Sequence, residues 1–136
     1  GPDTILKFRP KVLAEMGKRY NIEFNEDELR QFEKSGTAVG VPIQKMKEYL
    51  ATKNADEKRA LETGVPIDST DNQLALWILY ARQVNPAVQT LIKGDADLEF
   101  PIVREILSIL QDKNVNRYSL VTNLRAVQVK EDEITE

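Results

Sequence analysis

Hydrophobic and polar positions change rhythm twice between residues 87 and 126. Ala87–Lys93 (AVQTLIK) is a short β-rich run, followed by the turn Gly94-Asp95-Ala96-Asp97. Next comes LEFPIVREILSILQDKN, in which Ile102, Val103, Ile106, Leu107 and Leu110 recur at i, i+3, i+4 helical spacing. Pro101 sits where a first-turn proline is tolerated, and Asp97 and Glu99 flank the positive end of that helix. VNRYSLVTNLRA then returns to a β-rich pattern. Strand, helix and strand of these lengths predict a right-handed βαβ crossover. Val88 and Ile92, and Tyr118, Leu120 and Leu124, give each strand one apolar face, while Gln89, Lys93, Ser119 and Asn123 lie on the other, with Leu91 and Val121 among them. Such half-buried alternation predicts a sheet covered by helices on one side. The fold class expected is a small two-layer α/β sandwich: a short mixed sheet, a C-terminal βαβ unit and an N-terminal helical extension.

Upstream the pattern is more helical. Thr4–Phe8 is a short extended candidate. Lys11–Tyr20 is a helix candidate with Val12, Leu13 and Met16 on one face, which Gly17 weakens by about 1 kcal/mol relative to Ala. Asn25 is a good N-cap with Glu28 three residues on, so a capping box is expected for a helix ending near Lys34 before Ser35-Gly36. Leu29 and Phe32 are its apolar residues. These helices are thinly apolar and are expected to dock on something larger.

Two segments echo each other. Gly40-Val41-Pro42-Ile43 and Gly64-Val65-Pro66-Ile67 each lead into a helical pattern, and proline keeps the preceding valine extended. Four residues in two copies fit independent use of one helix lead-in better than a true repeat. Between them Thr52–Arg59 (TKNADEKR) reads as a solvated loop or frayed helix end. Asp68, Ser69, Thr70 and Asp71 offer several N-caps for the next helix. Leu74–Ala81 (LALWILYA) is apolar for eight residues, which predicts burial on more than one side, with Trp77 and Tyr80 in the core. Asn85-Pro86 ends that helix. Val127-Gln128-Val129 extends the last alternation, and the tail Lys130–Glu136 is expected to be disordered. The expected organisation is thus 1–2 a remnant of protease cleavage, 3–40 the helical extension, 41–129 the α/β domain and 130–136 the acidic tail.

Composition narrows the function. A chain of 136 residues buries one core, and its net charge of −3 equals that of the acidic tail alone. The remainder is balanced, with cations interleaved among acids, so no nucleic-acid stripe exists. There is no cysteine and no histidine, which removes thiol nucleophiles, zinc-thiolate sites and the usual general base. Ser35, Ser69, Ser108 and Ser119 therefore have no histidine to activate them. No apolar run approaches the ~20 residues that span a bilayer. Because Gly1-Pro2 looks like a cleavage remnant, that says nothing of what precedes it.

Two local patterns hold candidate chemistry. Asp95-Ala96-Asp97-Leu98-Glu99 begins like a calcium loop but has Phe100 where Gly is needed and Ile106 where Glu is needed, so turn chemistry is the expectation. Lys93-Gly94-Asp95 ends a strand where open α/β sheets place ligands. Without a Gly-rich phosphate loop, a surface ion pair is the plainer reading. Neither catalysis nor a cofactor or metal is expected. Binding or assembly is favoured by elimination, and an exposed sheet edge is the feature able to bind.

The segment from Gly64 to Ala126 resembles the periplasmic domain of ExbD and TolR proteins. The Val65-Pro66-Ile67 lead-in, the run Ile92-Lys93-Gly94-Asp95 followed by Leu98-Glu99-Phe100, and the closing Tyr118-Ser119-Leu120-Val121-Thr122 carry the resemblance. It implies a non-enzymatic, homodimeric domain of an inner-membrane-anchored transport protein facing the periplasm. Such a protein is held through a transmembrane helix in an ExbB-like pentameric channel, and proton flow there is coupled to a TonB-like partner. The family's proton-carrying Asp lies in that membrane helix, so Asp95 is not that residue. Lys93, Gly94 and Asp95 are then a signature turn. Partner binding is expected on the last strand, at Arg117, Tyr118, Ser119, Leu120, Val121, Thr122, Asn123 and Leu124, as a chain-terminal strand at a sheet edge. The chain departs from the family upstream, where some sixty helical and charged residues stand in place of a first strand and short linker. Glu48–Thr52 and Ile5–Phe8 are the candidates for that strand. The departure leaves two readings: a member with a long insert, or a likeness to a generic βαβ arrangement. Two other functions stay open: a small α/β enzyme or ligand-binding domain using the Lys93-Gly94-Asp95 loop, and a helical adaptor that binds through its N-terminal helices.

Overall fold

Asn21 and Asn114 adopt left-handed backbone conformations, with φ of 58° and 59°, and each ends a long helix. In helix α1 (Phe8–Tyr20) the Ile22 N–H bonds the Gly17 carbonyl at 2.8 Å and the Asn21 N–H the Lys18 carbonyl at 3.4 Å. Helix α6 (Phe100–Asp112) closes the same way, Val115 N–H to Leu110 at 2.9 Å and Asn114 N–H to Gln111 at 3.1 Å. This is the Schellman arrangement, in which asparagine tolerates the αL position. The computed structural model describes residues 8–35, 39–94, 99–115, 118–122 and 125–126. It is a mixed α/β chain in which helix predominates. It divides into two compact units, Gly1–Pro86 and Ala87–Glu136.

In the first unit α1 is followed by α2 (Glu26–Lys34), whose expected capping box is complete. Asn25 Oδ1 accepts from Glu28 N–H, and Glu28 Oε1 from Asn25 N–H, both at 2.8 Å. A 3₁₀ turn at Ile43–Lys45 runs into α3 (Met46–Ala51). Glu48–Thr52 is therefore not a strand. It lies in α3 and at its C-cap, because Thr52 N–H reaches back to Glu48 and Tyr49. Of the other first-strand candidate, Ile5–Lys7 lie outside the described residues and Phe8 is helical. The charged stretch 52–59 is not merely a solvated loop, since Asn54 caps a short helix α4 (Ala55–Leu61) none of whose residues is buried.

The buried cluster joins Leu13, Met16, Phe32, Val41, Ile43, Met46, Tyr49 and Leu50. The boundary expected after residue 40 falls inside this core: the two N-terminal helices supply part of it and do not merely dock. The two GVPI segments meet, with Gly64 (φ +110°) donating its N–H to the Gly40 carbonyl at 2.8 Å. Strands β1 (Ile67–Asp68) and β2 (Asp71–Asn72) form a small antiparallel hairpin. Its turn is tied by Asp68 Oδ1, which accepts the N–H groups of Thr70 (3.0 Å) and Asp71 (2.9 Å). Asx-turn bonding of this kind uses up Asp68, and the N-cap of α5 (Gln73–Val84) is Asn72, accepting from Ala75 N–H. That helix is buried on more than one side, as expected. Leu76, Trp77 and Tyr80 pack on the core cluster and Ile78 is buried, while Leu74, Ala75, Leu79 and Ala81 remain half-buried.

In the second unit β3 (Thr90–Gly94), α6 and β4 (Tyr118–Thr122) form the expected parallel crossover, with Ile92 beside Leu120 and Lys93 beside Val121. A short β5 (Arg125–Ala126) turns back antiparallel on β4, making a mixed sheet of order β3-β4-β5. Pro101 stands in the first turn of α6 as expected, although Glu99, its N-cap, makes no side-chain cap bond. Ile92, Ile106, Leu107, Ile109, Leu110 and Val115 are buried. Ile109 joins the stripe because it lies one turn on from Ile106, on the same helix face. Tyr118, expected on the apolar face, is instead 38% exposed.

Candidate functional site

The most organised polar cluster centres on Gln73, which is fully buried in the first turn of α5. Its Oε1 accepts the Ile43 N–H at 2.8 Å. Its Nε2 donates to Gln44 Oε1 and to Asp71 Oδ2, each at 2.8 Å. Asp71 Oδ1 accepts the Tyr20 hydroxyl at 2.6 Å. The amide thus ties a backbone donor of the 3₁₀ turn to the hairpin, and the hairpin to the end of α1. Burial pushes the Tyr20 phenol up to about 12, with the bond to Asp71 adding to it. Asp71 is held below the usual carboxylate range by the bonds from Tyr20 and Gln73. Tyr49 is a second such phenol, raised to about 12 by burial and by its 2.9 Å bond to Glu62.

This chemistry is that of an anchor. The Asp71 carboxylate is ionised and engaged at both oxygens, and the Tyr20 phenol is committed as a donor. Neither is poised to exchange protons near neutrality. Beside the cluster lies an open groove of about 290 Å³ lined by Asn21, Ile22, Glu23, Ile43, Gln44 and Lys47. Lys47 is committed to the protein, bonding Glu28 at 2.8 Å and lying 5.1 Å from the Phe24 ring.

Sequence reasoning missed this cluster, although a signal was present. Gln73 shares one helical face with Leu76, Trp77 and Tyr80, the residues that pack on the core. A polar residue in phase with a core stripe must find partners there. Trp77 and Tyr80 behave as expected, and Trp77 stacks on Phe32 with centroids 5.9 Å apart.

The residues singled out in advance lie in the second unit. Lys93 is exposed at the end of β3, Gly94 closes that strand, and Asp95 lies outside the described residues, as does Asp97 of the calcium-like pattern. The expected partner-binding strand is covered only in part among the described residues. Tyr118, Ser119, Leu120, Val121 and Thr122 form β4; on the side away from β3, Val121 and Thr122 pair with β5, while Tyr118, Ser119 and Leu120 pair with β3 alone. Arg117, Asn123 and Leu124 lie outside the described residues. Among the described residues no helix is long and apolar enough to cross a membrane, and no three acidic side chains gather as a metal site. Comparison with models of protein families, with curated proteins and with solved structures finds no match to this chain.

Proposed function

We propose that the chain is a non-enzymatic, protein-binding domain of the ExbD/TolR kind. In this reading it is a periplasmic, homodimeric part of an inner-membrane motor that couples proton flow in an ExbB-like channel to work on a TonB-like partner. The observation that carries the reading is the β3–α6–β4 crossover. It has the order, lengths and parallel register of the segment on which the resemblance rests, and it follows a helix led in by Val65-Pro66-Ile67. The complete absence of His and Cys from the sequence also supports a binding role over a catalytic one. The finer architecture belongs to the same proposal: α6 covers one face of the mixed sheet, giving two layers.

A titration tests it. A TonB-type periplasmic segment is added to the isotopically labelled chain at concentrations that favour a dimer. Amide shifts in Ala87–Ala126 are the expected result, and their absence at saturating peptide would sink the partner assignment.

A further inference from the structure

The open side of β3 carries features that specify what it takes up. We propose that β3 is a docking edge for an extended segment of another protein that sets an acidic side chain against Lys93. The inference rests on the reading above only in taking the domain as a binder of proteins.

All five residues of β3, Thr90–Gly94, pair in unbroken register with β4. In the order β3-β4-β5 the other side of β3 meets no strand among the described residues. No proline or bulge interrupts it, so its outward N–H and C=O groups form a regular row. Sheet edges of that kind accept an added strand, with main-chain bonds supplying affinity and alternate side chains supplying selectivity.

One side chain sets the selectivity. Lys93 is exposed, and its register neighbour on β4 is the apolar Val121. Among the described residues it has no ion pair or hydrogen bond, and no described residue of the sheet compensates its charge. A carboxylate directly across a new strand pair lies within reach of it.

The same register disfavours a second copy of this chain. Antiparallel pairing of two β3 strands about Ile92 sets Leu91 against Lys93 of the copy. It also leaves the two lysines diagonal neighbours on one face, about 7–8 Å apart. That is like-charge repulsion where an acidic partner gains attraction.

Two ten-residue peptides test the proposal, one alternating valine with glutamate and one alternating valine with lysine. Each is titrated into the full, isotopically labelled chain. The glutamate peptide is expected to shift and protect the amides of Thr90–Gly94 and to bind about fivefold more tightly than the lysine peptide, the scale of one exposed cross-strand charge pair. Lys93→Glu should invert that preference and Lys93→Gln abolish it. Both changes are at an exposed position and leave the core intact. Equal binding of the two peptides, shifts confined to Tyr118–Ala126, no shifts at all, or β3 shifts that grow with protein concentration in the absence of peptide would each overturn it. A TonB-type segment that binds elsewhere overturns the edge alone. A β3 edge that takes the glutamate peptide while every TonB-type segment fails overturns the motor reading alone.

Discussion

The Tyr20 hydroxyl donates to Asp71 Oδ1 at 2.6 Å across 51 positions of sequence. It fastens the C-terminal end of α1 to the β1–β2 hairpin, and the hairpin in turn holds Gln73 under the 3₁₀ turn. A hydrogen bond to a charged acceptor contributes about 1.5–3 kcal/mol when well shielded, and this pair is partly shielded. Tyr20→Phe is therefore expected to lower unfolding stability by about 1–2 kcal/mol. In a double-mutant cycle with Asp71→Asn, chemical denaturation should report a coupling of about 1 kcal/mol between the two positions. Additive losses would show that the bond does not contribute.

The same pair gives a pH dependence with a definite sign. The folded state raises the Tyr20 phenol from its ordinary 10.0 to about 12, so this contribution is fully present below pH 10 and is lost as pH rises towards 12. Asp71 shifts the other way. Its depressed pKa contributes above the ordinary carboxylate value and is lost as pH falls through the folded value. Tyr49 is raised to about 12 as well. Tyr20→Phe should thus weaken the alkaline fall in stability without abolishing it, and thermal unfolding followed between pH 9 and 12 measures this.

Gln73 has a cost of removal that its neighbours do not. Gln73→Leu keeps the volume and apolar phase of the stripe but leaves the Ile43 N–H buried without its acceptor. An orphaned buried donor costs about 1–3 kcal/mol, and Asp71 loses a donor at the same time. A loss of at least that size is expected in urea titration. Gln73→Glu should be worse, since it sets a second carboxylate at hydrogen-bond distance from Asp71.

Gly17 reverses a propensity argument. Alanine there would gain about 1 kcal/mol of helix propensity. A Cβ at this position, however, would lie 2.4 Å from the Ile22 carbonyl oxygen and 3.0 Å from the Phe24 ring. The neighbour is a backbone atom and not the end of a flexible side chain, so relief of the clash requires the chain leaving the helix to shift. Gly17→Ala is expected to destabilise by about 1–3 kcal/mol, the scale of core overpacking, and a measured gain would contradict the geometry.

Much of the chain was legible because the signals are local. Asn25 and Glu28 specify their capping box within four residues, and Pro101 and the Ile106–Leu107–Leu110 stripe specify α6. The apolar run Leu74–Ala81 disclosed burial on more than one side but not what covers each side. Apolar composition states what a helix tolerates, whereas its neighbours come from elsewhere in the chain, and the core cluster takes the Leu76–Trp77–Tyr80 side while Ile78 is buried on another. The strand edge was legible only in part. A chain-terminal position does not disclose that β5 folds back on β4, since two short residues of pairing leave almost no periodic trace.

The sequence by itself determined the capping box of α2, the strand–helix–strand order of the second unit and the exclusion of thiol and imidazole chemistry, because each depends on residue identity or on neighbours within one or two turns. The tertiary structure alone decided that α1 and α2 share a core with the segment after Gly40, that Gly17 faces the Ile22 carbonyl, that Gln73 is buried and bonded, and that β3 is an outer strand of its sheet among the described residues. These depend on contacts between residues far apart in the chain, where the spacing of apolar positions holds no information on which partner arrives.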